Sequence, residues 1–138
     1  VGTELMRLLA QRHCSVRAVL RQPARAVAPP LPGQPARVTS VVADHASEPQ
    51  LARAFAGADA LFLLIGTHPG QVQAETRAIA AARRAGVRRI IKLSAPLVAA
   101  PAAVEVATWH RAIEATLAAG GLEHCSLRPY AFMQNWLR

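Results

Sequence analysis

The chain has 138 residues, enough for one domain, and its 52% apolar against 17% charged residues exclude a disordered chain. A formal net charge of +8 would suit a nucleic-acid partner, but the basic residues are spread along the sequence without an aromatic platform or a reading helix, which argues against one. The longest clean apolar run, 60–65, is far short of the roughly 18 residues that suggest a membrane span. Cys14 and Cys125 share no C-x-x-C spacing, so free thiols in a reducing, cytoplasmic setting are expected.

Val1-Gly2-Thr3-Glu4-Leu5 reads as the last glycine and first helical turn of a dinucleotide-binding loop, with the preceding strand absent. Leu5, Leu8 and Leu9 give that helix one buried stripe, and it should end near His13. A β-prone run, 16–20, stops at Gln22-Pro23, and Pro23, Pro29, Pro30, Pro32 and Pro35 mark the following stretch as an exposed loop. A second strand spans 38–43. Ser47 and Gln50 form a capping box for a helix that buries Leu51, Ala54 and Phe55 and closes at Gly57.

The run 60–65 has the continuous apolar character of a strand covered on both faces. A helix over 71–85 stops at Gly86, a strand covers 89–93, and Pro96 and Pro101 break the chain beyond that strand. Arg83, Arg84, Arg88 and Arg89 cluster about Gly86, where basic residues suit a helix C-terminus. Val106, Trp109, Ile113 and Leu117 form one apolar stripe on a helix ended by Gly120-Gly121, and a last strand covers 124–127. Strands alternating with helices indicate an α/β fold: a Rossmann-type doubly wound parallel sheet, here without its first strand and most of its glycine-rich loop.

In such sheets the ligand lies beyond the carboxyl ends of the strands, which draws attention to Arg21, Asp44, Gly66-Thr67-His68, Ser94-Ala95 and Pro129-Tyr130. No acidic residue lies between Ser15 and Ala43. An NAD site usually offers a carboxylate to the adenosine ribose at the end of the second strand, whereas an NADP site accommodates the 2′-phosphate with arginine. Arg21 and Arg25 are therefore candidates for that phosphate, and NADP(H) is expected ahead of NAD(H), unless both are simply solvated loop arginines. Asp44 suits either an adenine amino group or a turn, and His68 either the cofactor or solvent. The scattered histidines offer no metal-ligand spacing.

Three segments, Arg88-Arg-Ile-Ile-Lys-Leu-Ser-Ala95, Trp109-His110 with Glu114, and Leu127-Arg-Pro-Tyr-Ala-Phe-Met-Gln-Asn-Trp-Leu137, resemble the NmrA-like NAD(P)-binding proteins. These are atypical, extended-type members of the short-chain dehydrogenase superfamily. The resemblance implies a glycine-rich loop ending at Gly2, a first strand before residue 1, and a substrate-binding region beyond Arg138, so that residues 1–138 form part of the cofactor domain. It also implies either hydride transfer to a quinone-like or other conjugated acceptor, or a redox sensor that binds the dinucleotide and regulates a protein partner.

Ordinary short-chain dehydrogenases use a Tyr-x-x-x-Lys pair, which this chain lacks: its only tyrosine is Tyr130 and its only lysine is Lys92. His110 falls where that lysine would stand and Val106 where the tyrosine would. His110 is thus the catalytic candidate, with an i,i+4 pairing to Glu114 as the plain alternative. Pro129, Tyr130 and Phe132 would close over the nicotinamide if they are not core.

Overall fold

The computed structural model describes residues 1–12, 14–22, 38–96 and 105–132. In chain order the elements are α1 Gly2–Gln11, β1 Val16–Leu20, β2 Val38–Val42, α2 Glu48–Phe55, β3 Ala60–Leu63, α3 Gln71–Arg84, β4 Arg89–Leu93, α4 Glu105–Ala119 and β5 Glu123–Leu127. All described strand pairs are parallel, in two separate sheets, β1-β2 and β3-β4-β5. The proline-rich loop, Arg25, His13 and residues 133–138 lie outside the described residues.

Helices α2, α3 and α4 pack in sequence against one another, and their inward side chains meet those of the strands in a single core. Leu51 and Phe55 of α2, Ile79 and Ala82 of α3, Ile90 of β4, and Ile113 and Leu117 of α4 form its centre. Ala78, Ala81 and Ala82 are at most 2% exposed, and side chains this small let α3 approach its neighbours closely. α3 ends as its sequence requires. Gly86 takes a positive φ of 77°, and the Val87 amide donates back to the Ala82 carbonyl at 3.0 Å, turning the chain straight into β4.

Several expectations shift in detail. β3 ends at Leu63 instead of Ile65, and it is not covered on both faces: Ala60 and Leu64 are exposed. The physical reason is the alternation of a strand: Leu61, Leu63 and Ile65 turn toward the core, while Ala60, Phe62 and Leu64 lie on the opposite face, away from it. β1 and β3 each have one edge without a described strand, so the sheet is divided between them. α1 buries none of its residues, and Leu8 stays 46% exposed, because it contacts little beyond β1.

The stripe on α4 is rotated by about one residue. Ala107, His110, Ile113 and Leu117 are buried, while Val106 and Trp109 are only partly so. Ser47 caps α2 by accepting from the Gln50 amide, but the Gln50 side chain does not reciprocate: Oε1 accepts from the Asp44 amide at 2.9 Å and ties β2 to α2. Three arginines of the basic cluster are paired: Arg88 with Asp59 and Arg89 with Glu123 on the rim where the strands start, and Arg84 at the end of α3 with Glu48 at the start of α2. Such exposed pairs are worth about 0–1 kcal/mol each.

Ile113 is fully buried where α4 meets the core. Replacing it with alanine removes apolar contacts and leaves a cavity, so Ile113→Ala should lower unfolding free energy by about 2–5 kcal/mol in urea denaturation, whereas the exposed Glu105→Ala should change it little.

Candidate functional site

Parallel pairing points the strands of each sheet the same way, so their carboxyl ends share one rim. On that rim a cavity of about 580 Å³ opens between the ends of β1, β2 and β3. Arg21 enters it directly after β1, Asp44 and His45 after β2, and Gly66, Thr67 and His68 after β3, while Arg77 reaches it from α3. Its wall thus holds two arginines and two histidines against one carboxylate.

The turn after β2 is tightly specified. The Asp44 carboxylate accepts from the Ala46 amide at 2.8 Å, and the His45 carbonyl accepts from Arg77 Nη1 at 3.0 Å. On the other wall His68 Nδ1 accepts from the Gly70 amide at 3.0 Å. Burial lowers the pKa of His45, the Arg21 charge lowers it further and the His68 charge adds slightly, while Asp44 opposes. The pocket is a basic concavity built from rigid strand ends, suited to an anionic ligand with a flat polar group.

A second polar group lies at the ends of β4 and β5. Ile90, Lys92 and Ser94 alternate onto the β4 face that meets the helices. Lys92 and Glu75 are both wholly buried, with Nζ 2.7 Å from Glu75 Oε2. Nζ also donates to the Leu93 carbonyl at 2.6 Å, and Gln71 Nε2 donates to Glu75 Oε1 at 2.9 Å. The pair pins α3 to the middle of β4.

His110 is 6% exposed, and its Nδ1 has no hydrogen-bond partner among the described residues. Burial lowers its pKa, the neighbouring Lys92 charge adds to this, and Glu114 opposes without reversing it. The expected His110–Glu114 pairing is replaced by another: Arg128 donates to Glu114 through Nε at 3.1 Å and also through Nη2. Burial alone would raise the Glu114 pKa, but Arg128 and the Ser94 and Ser126 hydroxyls hold the carboxyl below its ordinary value. Ser94 Oγ is nonetheless buried without an aligned hydrogen bond, leaving its hydroxyl to turn toward another group. The Ser94 amide donates to the Leu127 carbonyl at 2.8 Å, which carries the β4–β5 pairing one residue past the strand.

Among the expected site residues, Arg21, Asp44, Gly66, Thr67 and His68 come together in the cavity. Gly2 sits at the start of α1 and would have open space around an added Cβ. Ser94 and His110 belong to the second group, Pro129 follows it, and Tyr130 is 81% exposed and apart from the cavity. Arg25 is outside the described residues. Sequence reading missed His45 and Arg77. The first was signalled only by its place beside Asp44, and the second resembled any polar residue on an amphipathic helix. No group of three or more histidine, cysteine or acidic side chains able to hold a metal occurs among the described residues.

Parallel strands alternating with helices and a cavity at their carboxyl ends define a Rossmann-type nucleotide-binding fold. The chain belongs to the NAD(P)H-binding family, whose sequence profile matches residues 1–136. It is 30% identical to an NAD(P)H azoreductase of Xenophilus azovorans, over 99% of this chain and 46% of that protein. Its fold is similar to an NADPH-dependent quinone oxidoreductase of Escherichia coli solved with NADPH, at 27% identity and a TM-score of 0.79, over 97% of this chain and 47% of the other. A triphenylmethane reductase of Citrobacter shares the fold at 20% identity and a TM-score of 0.80, over 98% of this chain and 47% of the other. The chain therefore spans about half the length of these relatives.

The buried ion pair makes an energetic prediction. Lys92→Met leaves the buried Glu75 carboxyl without its cation and should cost about 3–5 kcal/mol, while Lys92→Met combined with Glu75→Leu should recover much of that loss. A double-mutant cycle by chemical denaturation measures the difference.

Proposed function

We propose that the chain is the NADP(H)-binding part of an NmrA-like oxidoreductase that passes hydride from the nicotinamide to a quinone-like or other conjugated small-molecule acceptor. The observation that carries this reading is the cavity at the ends of β1 to β3, where Arg21 stands in the place from which an NAD site would offer a carboxylate to the ribose. The likeness to an azoreductase and to a quinone oxidoreductase in complex with NADPH supports the reaction class.

The residues present fit the cofactor. Arg21 would hold the 2′-phosphate, Asp44 would accept from the adenine amino group, and Gly66, Thr67 and His68 would line the adenosine. Gly2 would let the backbone of the α1 N-terminus approach the pyrophosphate, since nothing within 4 Å of it crowds that approach. Arg25, from the loop after β1, would add to the phosphate site. When bound, the nicotinamide supplies the hydride.

The chain's own chemistry then lies at the ends of β4 and β5. Ser94 Oγ and His110 Nδ1, like Gln71 Oε1 of the same polar group, are buried without an aligned hydrogen bond among the described residues and could meet a ligand group. The lowered His110 pKa favours a neutral imidazole near pH 7, which would orient the acceptor by hydrogen bonding while the proton that balances hydride transfer comes from solvent. Pro129 and Tyr130, tethered just after Arg128, would shield the nicotinamide side; the Arg128–Glu114 pair anchors that segment to α4.

A redox sensor that binds NADP(H) to regulate a protein partner is the second reading, favoured by Val106 and His110 standing where the Tyr-x-x-x-Lys pair would be. Turnover separates the two. NADPH oxidation with a panel of quinones supports the enzyme, and saturable binding without oxidation supports the sensor. In either case Arg21→Ala should weaken NADPH by about 10- to 100-fold, the worth of a charge-assisted contact of about 1.5–3 kcal/mol, and leave NADH within about twofold. Equal losses for the two dinucleotides, measured by fluorescence titration, would remove the basis for the NADP(H) preference.

A further inference from the structure

The cavity holds one titratable group that this reading leaves without a role. His45 is half-buried beyond β2, and the turn around it is fixed by the Arg77 hydrogen bond to its carbonyl and by the Asp44 and Gln50 contacts on either side. The charged and titratable groups that face it are Arg21 from the end of β1, Asp44 beside it, His68 from the loop after β3, and Arg77 from α3. Three of these are already committed locally: His68 Nδ1 accepts from Gly70, the Asp44 carboxylate accepts from Ala46, and Arg77 donates to the His45 carbonyl. The His45 ring makes no hydrogen bond among the described residues, so it is open to a ligand group in the cavity.

We infer that His45 is a specificity-determining residue of this pocket: when a dinucleotide bearing a 2′-phosphate binds, the His45 ring takes up a proton and joins Arg21 in holding that phosphate. The inference rests on the NADP(H) reading above. In the free protein burial and the Arg21 charge keep the ring neutral at neutral pH. A phosphate set against Arg21 cancels the repulsion that Arg21 exerts on the protonated ring and adds an attraction of its own. Binding and protonation therefore reinforce each other, and the proton comes from solvent.

The direction of the effect is set by linkage. The bound form has the higher His45 pKa, so NADP(H) affinity rises as pH falls through the interval between the free and bound values. One proton sets a limit of about tenfold per pH unit. The ligand's own phosphate takes up its second proton near pH ~6 and weakens the effect there, so the informative range is about pH 6.5 to 8. A dinucleotide without the 2′-phosphate brings no such charge to Arg21. The ratio of NADP+ to NAD+ affinity should accordingly grow at lower pH.

Titration calorimetry of NADP+ and NAD+ across that range, in buffers of different ionisation enthalpy, reads both the affinity ratio and the protons taken up. The expected result is a several-fold rise in the ratio between pH 8 and 6.5, with fractional proton uptake for NADP+ and much less for NAD+. In His45→Gln, with its thermal transition checked, both effects should vanish while NADP+ still binds. Absence of NADP+-specific proton uptake in the unaltered protein would overturn the inference without recourse to the variant, as would the same pH slope in His45→Gln. Failure of both dinucleotides to bind would overturn the underlying reading of the pocket as well.

Discussion

Parallel pairing of the strands is the constraint that creates the candidate site. It sends every strand the same way, so residues far apart in sequence, Arg21, Asp44, His45, His68 and Ser94, come out on one rim. No local preference of these residues would gather them. The opposite rim receives Gly57, Gly86 and Gly121 and the Arg88–Asp59 and Arg89–Glu123 pairs, which satisfy charge without shaping a comparable cavity.

The rim divides into two regions with different physics. Around β1 to β3 the cavity is basic and open to solvent, with main-chain turns locked by Gln50, Ala46 and Arg77. Around β4 and β5 the polar groups are buried, and the Lys92–Glu75 pair sets the field. Burial lowers the His110 pKa, and the charge of buried Lys92 lowers it further while the same lysine fixes α3 on β4. One interaction thereby contributes to packing and to the protonation state of the catalytic candidate.

Much of this was legible in the sequence because strong local signals agreed. Val16 to Leu20 and Arg89 to Leu93 are β-prone runs bounded by breakers, and Gly86 could only end a helix there with a positive φ. Arg21 and Asp44 were legible through their place after strands. The features that escaped depend on tertiary contacts. Arg77 and His45 are defined as site residues by each other across the α3–β2 gap, and Lys92 gained its meaning only when Glu75 was placed against it. The rotation of α4 that buries His110 and Ala107 was not legible because Val106 and Trp109 made an equally regular stripe; packing against α3 and β5 chose between them. The early end of β3 follows its pairing with β4, which stops at Leu63 and which residues 60–65 do not encode.

The central claim is that an arginine rather than a carboxylate meets the adenosine ribose of a dinucleotide laid across the strand ends. A crystal structure of the protein with NADP+ tests it most directly. The account predicts the adenosine in the cavity between β1 and β3, with the 2′-phosphate in hydrogen-bond reach of the Arg21 guanidinium. A nucleotide bound elsewhere, or one seated in the cavity with Arg21 turned to solvent, would contradict it.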